Sequence, residues 1–94
     1  SNSNDLPESA CWTENNNIRH YVVVGSYSTE ANANRAVSSI EGKNSDLKCH
    51  IFKLGSMYAV AVYGSSEKYE CESFMRDYRK QFSQSWIHTP KRFR

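Results

Sequence analysis

The chain has little excess charge, few cysteines and no long apolar run, and each shortage closes off a class. Twelve Lys and Arg against ten Asp and Glu leave a net charge of only +2. A dedicated duplex-DNA binder carries a stronger basic footprint. No apolar stretch approaches the roughly 20 residues of a membrane helix, and no signal-peptide pattern is visible. Three cysteines, Cys11, Cys49 and Cys71, are an odd number at irregular spacings and imply no disulfide framework. A Cys49–Cys71 bridge is conceivable beneath one helix layer but not expected. Neither Cys-x-x-Cys nor His-x-x-x-His occurs, so no metal site and no cofactor is expected. Cys49 and His50 are adjacent on a strand and point oppositely, which argues against a nucleophilic pair. No two carboxylates converge as glycosidase chemistry requires. The expectation is a non-catalytic domain.

What is present is the composition of a soluble fold, with 38% apolar and 23% charged residues in 94. That length makes one domain with a modest core. Residues 1–18, rich in Ser and Asn, read as a linker or cloning remnant, with Trp12 its one feature able to dock. Residues 19–90 read as the folded unit and 91–94 as a basic tail.

The organising stretch is His20-Tyr-Val-Val-Val-Gly-Ser26, a β-branched run suited to a buried strand. Tyr58-Ala-Val-Ala-Val-Tyr-Gly-Ser-Ser66 repeats its layout about 38 positions later. The match continues through Ala36 and Phe74, Val37 and Met75, Ile40 and Tyr78, to His50 and His88. Two copies of strand, helix, strand follow. The first runs from a strand at about 20–26 through a helix capped by Ser28 or Thr29 and ending near Gly42. A strand at about 47–54 turns through Leu54-Gly55-Ser56 into another at about 57–63. Ser65 or Ser66 with Glu67 then caps a helix carrying Cys71, Phe74, Met75, Tyr78 and Phe82. A short strand at 86–89 ends at Pro90.

The order βαββαβ predicts an α+β, ferredoxin-like sandwich: a four-stranded antiparallel sheet, two helices on one face, the other face open. Strict alternation points Val22, Val24, Cys49, Ile51, Tyr58, Val60, Val62 and Ile87 toward the helices. It points Tyr21, Val23, Lys48, His50, Phe52, Ala59, Ala61, Tyr63, Trp86 and His88 away. Exposed aromatics around a floor of small residues read as a groove for a flat, elongated ligand. Coverage by the N-terminal tail or by a partner subunit is the plainer alternative. Single-stranded RNA stacks on such a face, although Met57-Tyr-Ala-Val-Ala-Val-Tyr63 lacks the RNP1 pattern and has alanines at the stacking positions. Glycan strands stack sugar rings on aromatic side chains in the same way.

Tyr21-Val-Val-Val-Gly-Ser-Tyr-Ser28 resembles the opening "VQxGSF" motif of SPOR domains, the sporulation-related repeat. Gly55-Ser-Met-Tyr-Ala-Val-Ala-Val62 resembles their second motif, "GLYRVRVGPF". The resemblance spans about residues 20–89. It implies the same sandwich and binding to bacterial peptidoglycan, in particular to glycan strands stripped of stem peptides. It further implies a periplasmic or cell-envelope location, concentrated at the division septum, within a longer protein. By position, the family's groove glutamine falls on Val23, the motif serine on Ser26 and the last-strand aromatic on Trp86. The chain departs from the pattern at Val23, at Ala59 and Ala61 where arginine is common, and at Tyr63-Gly64. The expected glycan contacts are Tyr21, Val23, Ser26, His50, Phe52, Ala59, Ala61, Tyr63, Trp86 and His88, with Lys91 and Arg92 near the ligand's carboxylates. The alternatives are an RNA-binding module and a protein-interaction domain using the same face. No membrane contact by the domain itself is expected.

Overall fold

A computed structural model describes residues 17–90. The readings placed on Cys11, Trp12, Lys91 and Arg92 lie outside the described residues. Strand β1 (His20–Tyr27) leads into helix α1 (Glu30–Lys43), then β2 (His50–Leu54), β3 (Met57–Ser65), helix α2 (Lys68–Asp77) and β4 (Trp86–His88). The four strands form one antiparallel sheet in the order β2-β3-β1-β4. Both helices pack against the sheet, and β1 and β3 are central, the α+β ferredoxin-like arrangement the sequence predicts. The repeat holds at the level of elements, since Glu30 and Lys68, which open the two helices, are 38 positions apart.

Local chemistry accounts for each boundary. Thr29 takes the N-cap of α1, its hydroxyl accepting from the Asn32 N–H at 3.1 Å. Glu30 in the first turn and Lys43 in the last complement the helix dipole. The helix passes through Gly42 and stops at Asn44, whose backbone N–H and side-chain amide both donate to the Ile40 carbonyl. The second helix starts differently from the expectation. Glu67 is the N-cap residue and makes no side-chain cap bond. Ser65 instead accepts from the Glu67 N–H at 3.0 Å and donates to the Glu70 carboxylate. Ser65 is thus buried without loss, because its hydroxyl is used twice.

Gly55 and Ser56 make a two-residue loop closed by the Leu54–Met57 pair. Gly55 sits at φ +61°, where a Cβ is strained, although open space surrounds it. Gly55→Ala is therefore expected to cost about 1 kcal/mol, with a fall of roughly 5 °C in the melting midpoint. Calorimetry of both proteins checks it.

The core centres on Val22, Val62 and Cys71, with Val24, Ile40, Cys49, Phe74, Met75, Phe82 and Ile87 packed around them. Two irregularities interrupt the central pair. Val22 faces Tyr63 while Val23 faces Ala61, leaving Val62 as an extra residue in β3. Gly25 then faces Val60, leaving Val24 as an extra residue in β1. Each bulge reverses the facing of the residues beyond it, and the two cancel in register. This corrects the reading of Tyr63. It lies on the helix side, stacked on Phe74 of α2 with centroids 4.9 Å apart and planes within 5°. The bulge in β1 acts in the opposite sense and returns Ser26 to the open side, opposite Ala59.

Cys49 and Cys71 are free thiols. Cys71 donates to the His20 carbonyl at 3.5 Å, and the Cys49 N–H donates to the Glu41 carboxylate at 3.0 Å. Burial, then the negative charge of Glu41, pushes the Cys49 thiol up to about 12. Burial, opposed by a backbone hydrogen bond at Ser65, pushes Cys71 up to about 11. A raised thiol pKa favours the neutral form in the folded state. The stability it carries is whole below the unfolded value near 9 and is lost as pH climbs through 11 to 12. Native protein should therefore leave both thiols unmodified by a disulfide exchange reagent at pH 8, while urea-unfolded protein reacts. Rapid labelling of Cys49 or Cys71 in the native state would contradict the assignment.

Candidate glycan-binding face

The side of the sheet away from the helices is built from three cross-strand rows. The first is Gly64, Tyr21 and His88; the second is His50, Ala61, Val23 and Trp86; the third is Phe52, Ala59 and Ser26. Alternation along each strand brings these residues to one face. Four rings meet there although they come from three different strands. The Phe52 ring lies 5.2 Å from Tyr21, 5.4 Å from His88 and 6.2 Å from His50, measured between centroids. Offset, tilted contacts of this kind are favourable for aromatic pairs. Trp86 meets His88 edge-on at 5.9 Å and is 41% exposed.

Phe52 leans diagonally across the second row instead of standing above its own partner Ala59. The consequence is a covered floor. Val23, Ala59 and Ala61 have no exposed surface, so a ligand resting on this face meets rings and not these three side chains. Expected as contacts, all three lie buried in the fold. They form the floor, and the two alanines leave room above them for the Phe52 ring to reach Tyr21 and His88. A glutamine or arginine at these positions would need either a buried polar partner or a displaced ring.

A groove of about 300 Å³ runs beside the ring layer, lined by Tyr21, His50, Phe52, Lys53, Leu54, His88 and Pro90. Of the expected contacts, the fold brings Tyr21, His50, Phe52 and His88 into this groove, with Trp86 beside it and Ser26 exposed in the Phe52 row. It does not bring Tyr63. Lys53, Leu54 and Pro90 were not singled out from the sequence. Alternation points Lys53 to the other side, and its ammonium does lie over the Tyr58 ring, 5.4 Å from the centroid. The position of Lys53 at the end of a strand beside a reversed turn was the available signal.

The last strand is tied in place by His20 Nδ1 and Thr89 Oγ1 at 2.8 Å and by the antiparallel pairing of Tyr21, Val22 and Val23 with His88, Ile87 and Trp86. The face is therefore a layer of packed rings tilted against one another, with Trp86 edge-on at one end and no described helix above it. Such a layer offers stacking area to planar or ring-shaped ligands and few directional hydrogen bonds. Among the described residues no group of three His, Cys, Asp or Glu side chains is arranged to hold a metal ion. Among the same residues no helix is long and apolar enough to cross a membrane.

Comparison with curated proteins and with solved structures gave no match. The SPOR domain family model matches residues 16–88, a span that contains the four described strands, the two described helices and the whole ring layer. SPOR domains are peptidoglycan-binding modules. On this match over most of the chain, together with the βαββαβ sandwich, the protein belongs to the SPOR domain family.

Proposed function

We propose that this domain binds peptidoglycan glycan strands on its open aromatic face, with preference for strands stripped of stem peptides. It would thereby hold a longer cell-envelope protein at the division septum. The observation that carries the reading is the ring layer of Tyr21, His50, Phe52 and His88 with Trp86 at its edge, left uncovered by any described element. Sugar rings present flat C–H faces that pack on aromatic side chains, and the apolar area removed from water supplies the binding energy. The role of each group follows from its place. Phe52 and Tyr21 form the platform, Trp86 extends it along the strand, and Ser26 offers a hydroxyl at the far row. Removing stem peptides frees lactyl carboxylates and narrows the polymer. His50 and His88, both in the groove, would offer ring N–H donors to them.

The reading is recognition without chemistry, which the match to a family of binding modules supports. RNA is the weaker reading. The positions at which this topology stacks bases on β3 are Ala59 and Ala61, and both are covered. Co-sedimentation with purified sacculi, intact and pretreated with an amidase that removes stem peptides, tests the proposal. Binding is expected to rise by several-fold after stripping. No binding to either preparation, or equal binding to both, would overturn the glycan preference. A strongly salt-dependent affinity for single-stranded RNA would move the assignment to that class.

A further inference from the structure

Two histidines meet on the open face although they come from strands at opposite edges of the sheet. His50 lies on β2 and His88 on β4, the outermost strands in the order β2-β3-β1-β4. They are 38 positions apart, the offset of the internal repeat, so each copy of strand, helix, strand contributes one. The Phe52 ring stacks with both, 6.2 Å from His50 and 5.4 Å from His88, with planes inclined by 22° and 26°. Both imidazoles line the same groove of about 300 Å³, and among the described residues no Asp or Glu lines it. The other charged or titratable groups around the pair are Tyr21, which faces His88 across β1 and β4, and two lysines. Lys53 lines the groove with its ammonium over the Tyr58 ring, and Lys48 stands two residues before His50. From β3 only Ala59 and Ala61 lie beneath the rings. His20, the third histidine, is outside the groove lining and pairs with Thr89.

Imidazole is the side chain whose charge ordinarily changes between about pH 5 and 8. Above that range such a groove is a stacking surface. Below it two positive rings adjoin the platform, and an aromatic face favours a cation beside it. A carboxylate stays ionised across the same range, so the protonated pair attracts it through charge and through N–H donors, while the neutral pair does so weakly. Given the glycan reading of this face, on which the inference rests, we propose that His50 and His88 are its specificity-determining residues: protonated, they select strands whose lactyl carboxylates are free. A stem peptide ties up that carboxyl as a neutral amide, and the pair then meets no charge there. Stacking on Phe52, Tyr21 and Trp86 supplies affinity at any pH. The histidines supply discrimination, which grows as pH falls, and the two lysines add to the positive field. Protonation and binding are coupled reciprocally, so binding within the imidazole range takes up protons.

The test is co-sedimentation with amidase-stripped sacculi at about pH 5.5 and pH 8 and constant ionic strength, beside stripped sacculi whose carboxyls have been converted to methylamides. Affinity for the stripped material should rise roughly fivefold from the higher pH to the lower, the scale of two partly exposed charge pairs. The amidated material should show no rise. The double variant His50→Gln, His88→Gln should bind equally at both pH values, its ¹H–¹⁵N spectrum reporting its fold. His20→Gln removes a histidine outside the groove and should keep the rise, which separates the pair from a general gain in protein charge. A measurement on the unaltered domain needs no variant: calorimetry with soluble fragments of stripped glycan, in buffers of different ionisation enthalpy, should show proton uptake on binding. Affinity for stripped sacculi that ignores pH, an equal rise with amidated material, or a rise that survives in the folded double variant would overturn the proposal and leave glycan binding standing. No binding at either pH would overturn both.

Discussion

Replacing Trp86 with alanine is expected to cut co-sedimentation with amidase-stripped sacculi by a factor of ten or more, while the melting midpoint moves by only a few degrees. The two halves of that expectation have separate origins. Trp86 opens a three-residue edge strand, is 41% exposed, and makes its ring contact with the edge of His88 alone. Little packing is lost when it is removed, so the fold persists. Binding is a different matter, because a large aromatic at the open end of a stacking platform contributes area that no neighbour replaces. Aromatic anchors of this sort dominate the interfaces they serve, and a tenfold loss corresponds to only about 1.4 kcal/mol. Unchanged sedimentation by a folded Trp86→Ala protein would remove the open face from consideration as the glycan site. A fall for stripped and intact sacculi alike would keep the face but discard the preference for bare strands.

Phe74→Ala should be the most damaging of the single changes considered, costing about 3 kcal/mol. Phe74 packs against the core of Val22, Val62 and Cys71, and it is also a central member of a ladder of stacked rings, with Tyr63 at 4.9 Å and Tyr78 at 4.3 Å. Its removal leaves a cavity under α2 and the Tyr63 ring without its stacking partner, while Tyr78 keeps Phe82. It is only partly buried, which places the cost at the low end of the range for phenylalanine. In a domain of this size the melting midpoint would drop by about 12 °C or more, a large share of the 5–15 kcal/mol that small domains typically possess. Phe74→Leu should recover about half of the loss, because it restores apolar volume but not the stacked geometry. Urea unfolding of the three proteins measures this. A loss below about 1 kcal/mol for the alanine variant would mean that the ladder is surface decoration and not part of the core.

Much of the architecture is legible in the chain because it rests on local chemistry. A β-branched run at Tyr21–Val24, a cap at Thr29, a one-sided helix through Ala33 and Ile40, and a tight turn at Gly55 each report their own structure within a few residues. The repeat then orders them, and the family pattern in Tyr21–Ser28 and Gly55–Val62 leads to the match over residues 16–88. The facing of side chains was legible wherever strands stayed regular, which is why Tyr21, Phe52, His50, Trp86 and His88 were assigned to the open side.

Two features escaped that reading, and both belong to pairs of strands. A bulge exists only relative to a partner's register, so nothing within Met57–Ser65 alone says that Val62 is extra or that Tyr63 turns to the helices. The direction of the Phe52 ring depends on Tyr21 and His88, which lie on other strands, and that direction decides whether Val23, Ala59 and Ala61 meet ligand or lie covered. The sequence by itself determined the order of elements, the tight turn, the cap of the first helix and the existence of an uncovered aromatic face. These follow from propensity and periodicity, which act over a turn of helix or a pair of residues. Only the tertiary structure decided which rings cluster on the open face, which small residues lie beneath them, and that Tyr63 stacks on Phe74 on the opposite side. Those outcomes depend on register and packing between strands distant in the chain, and such information is absent from any one segment.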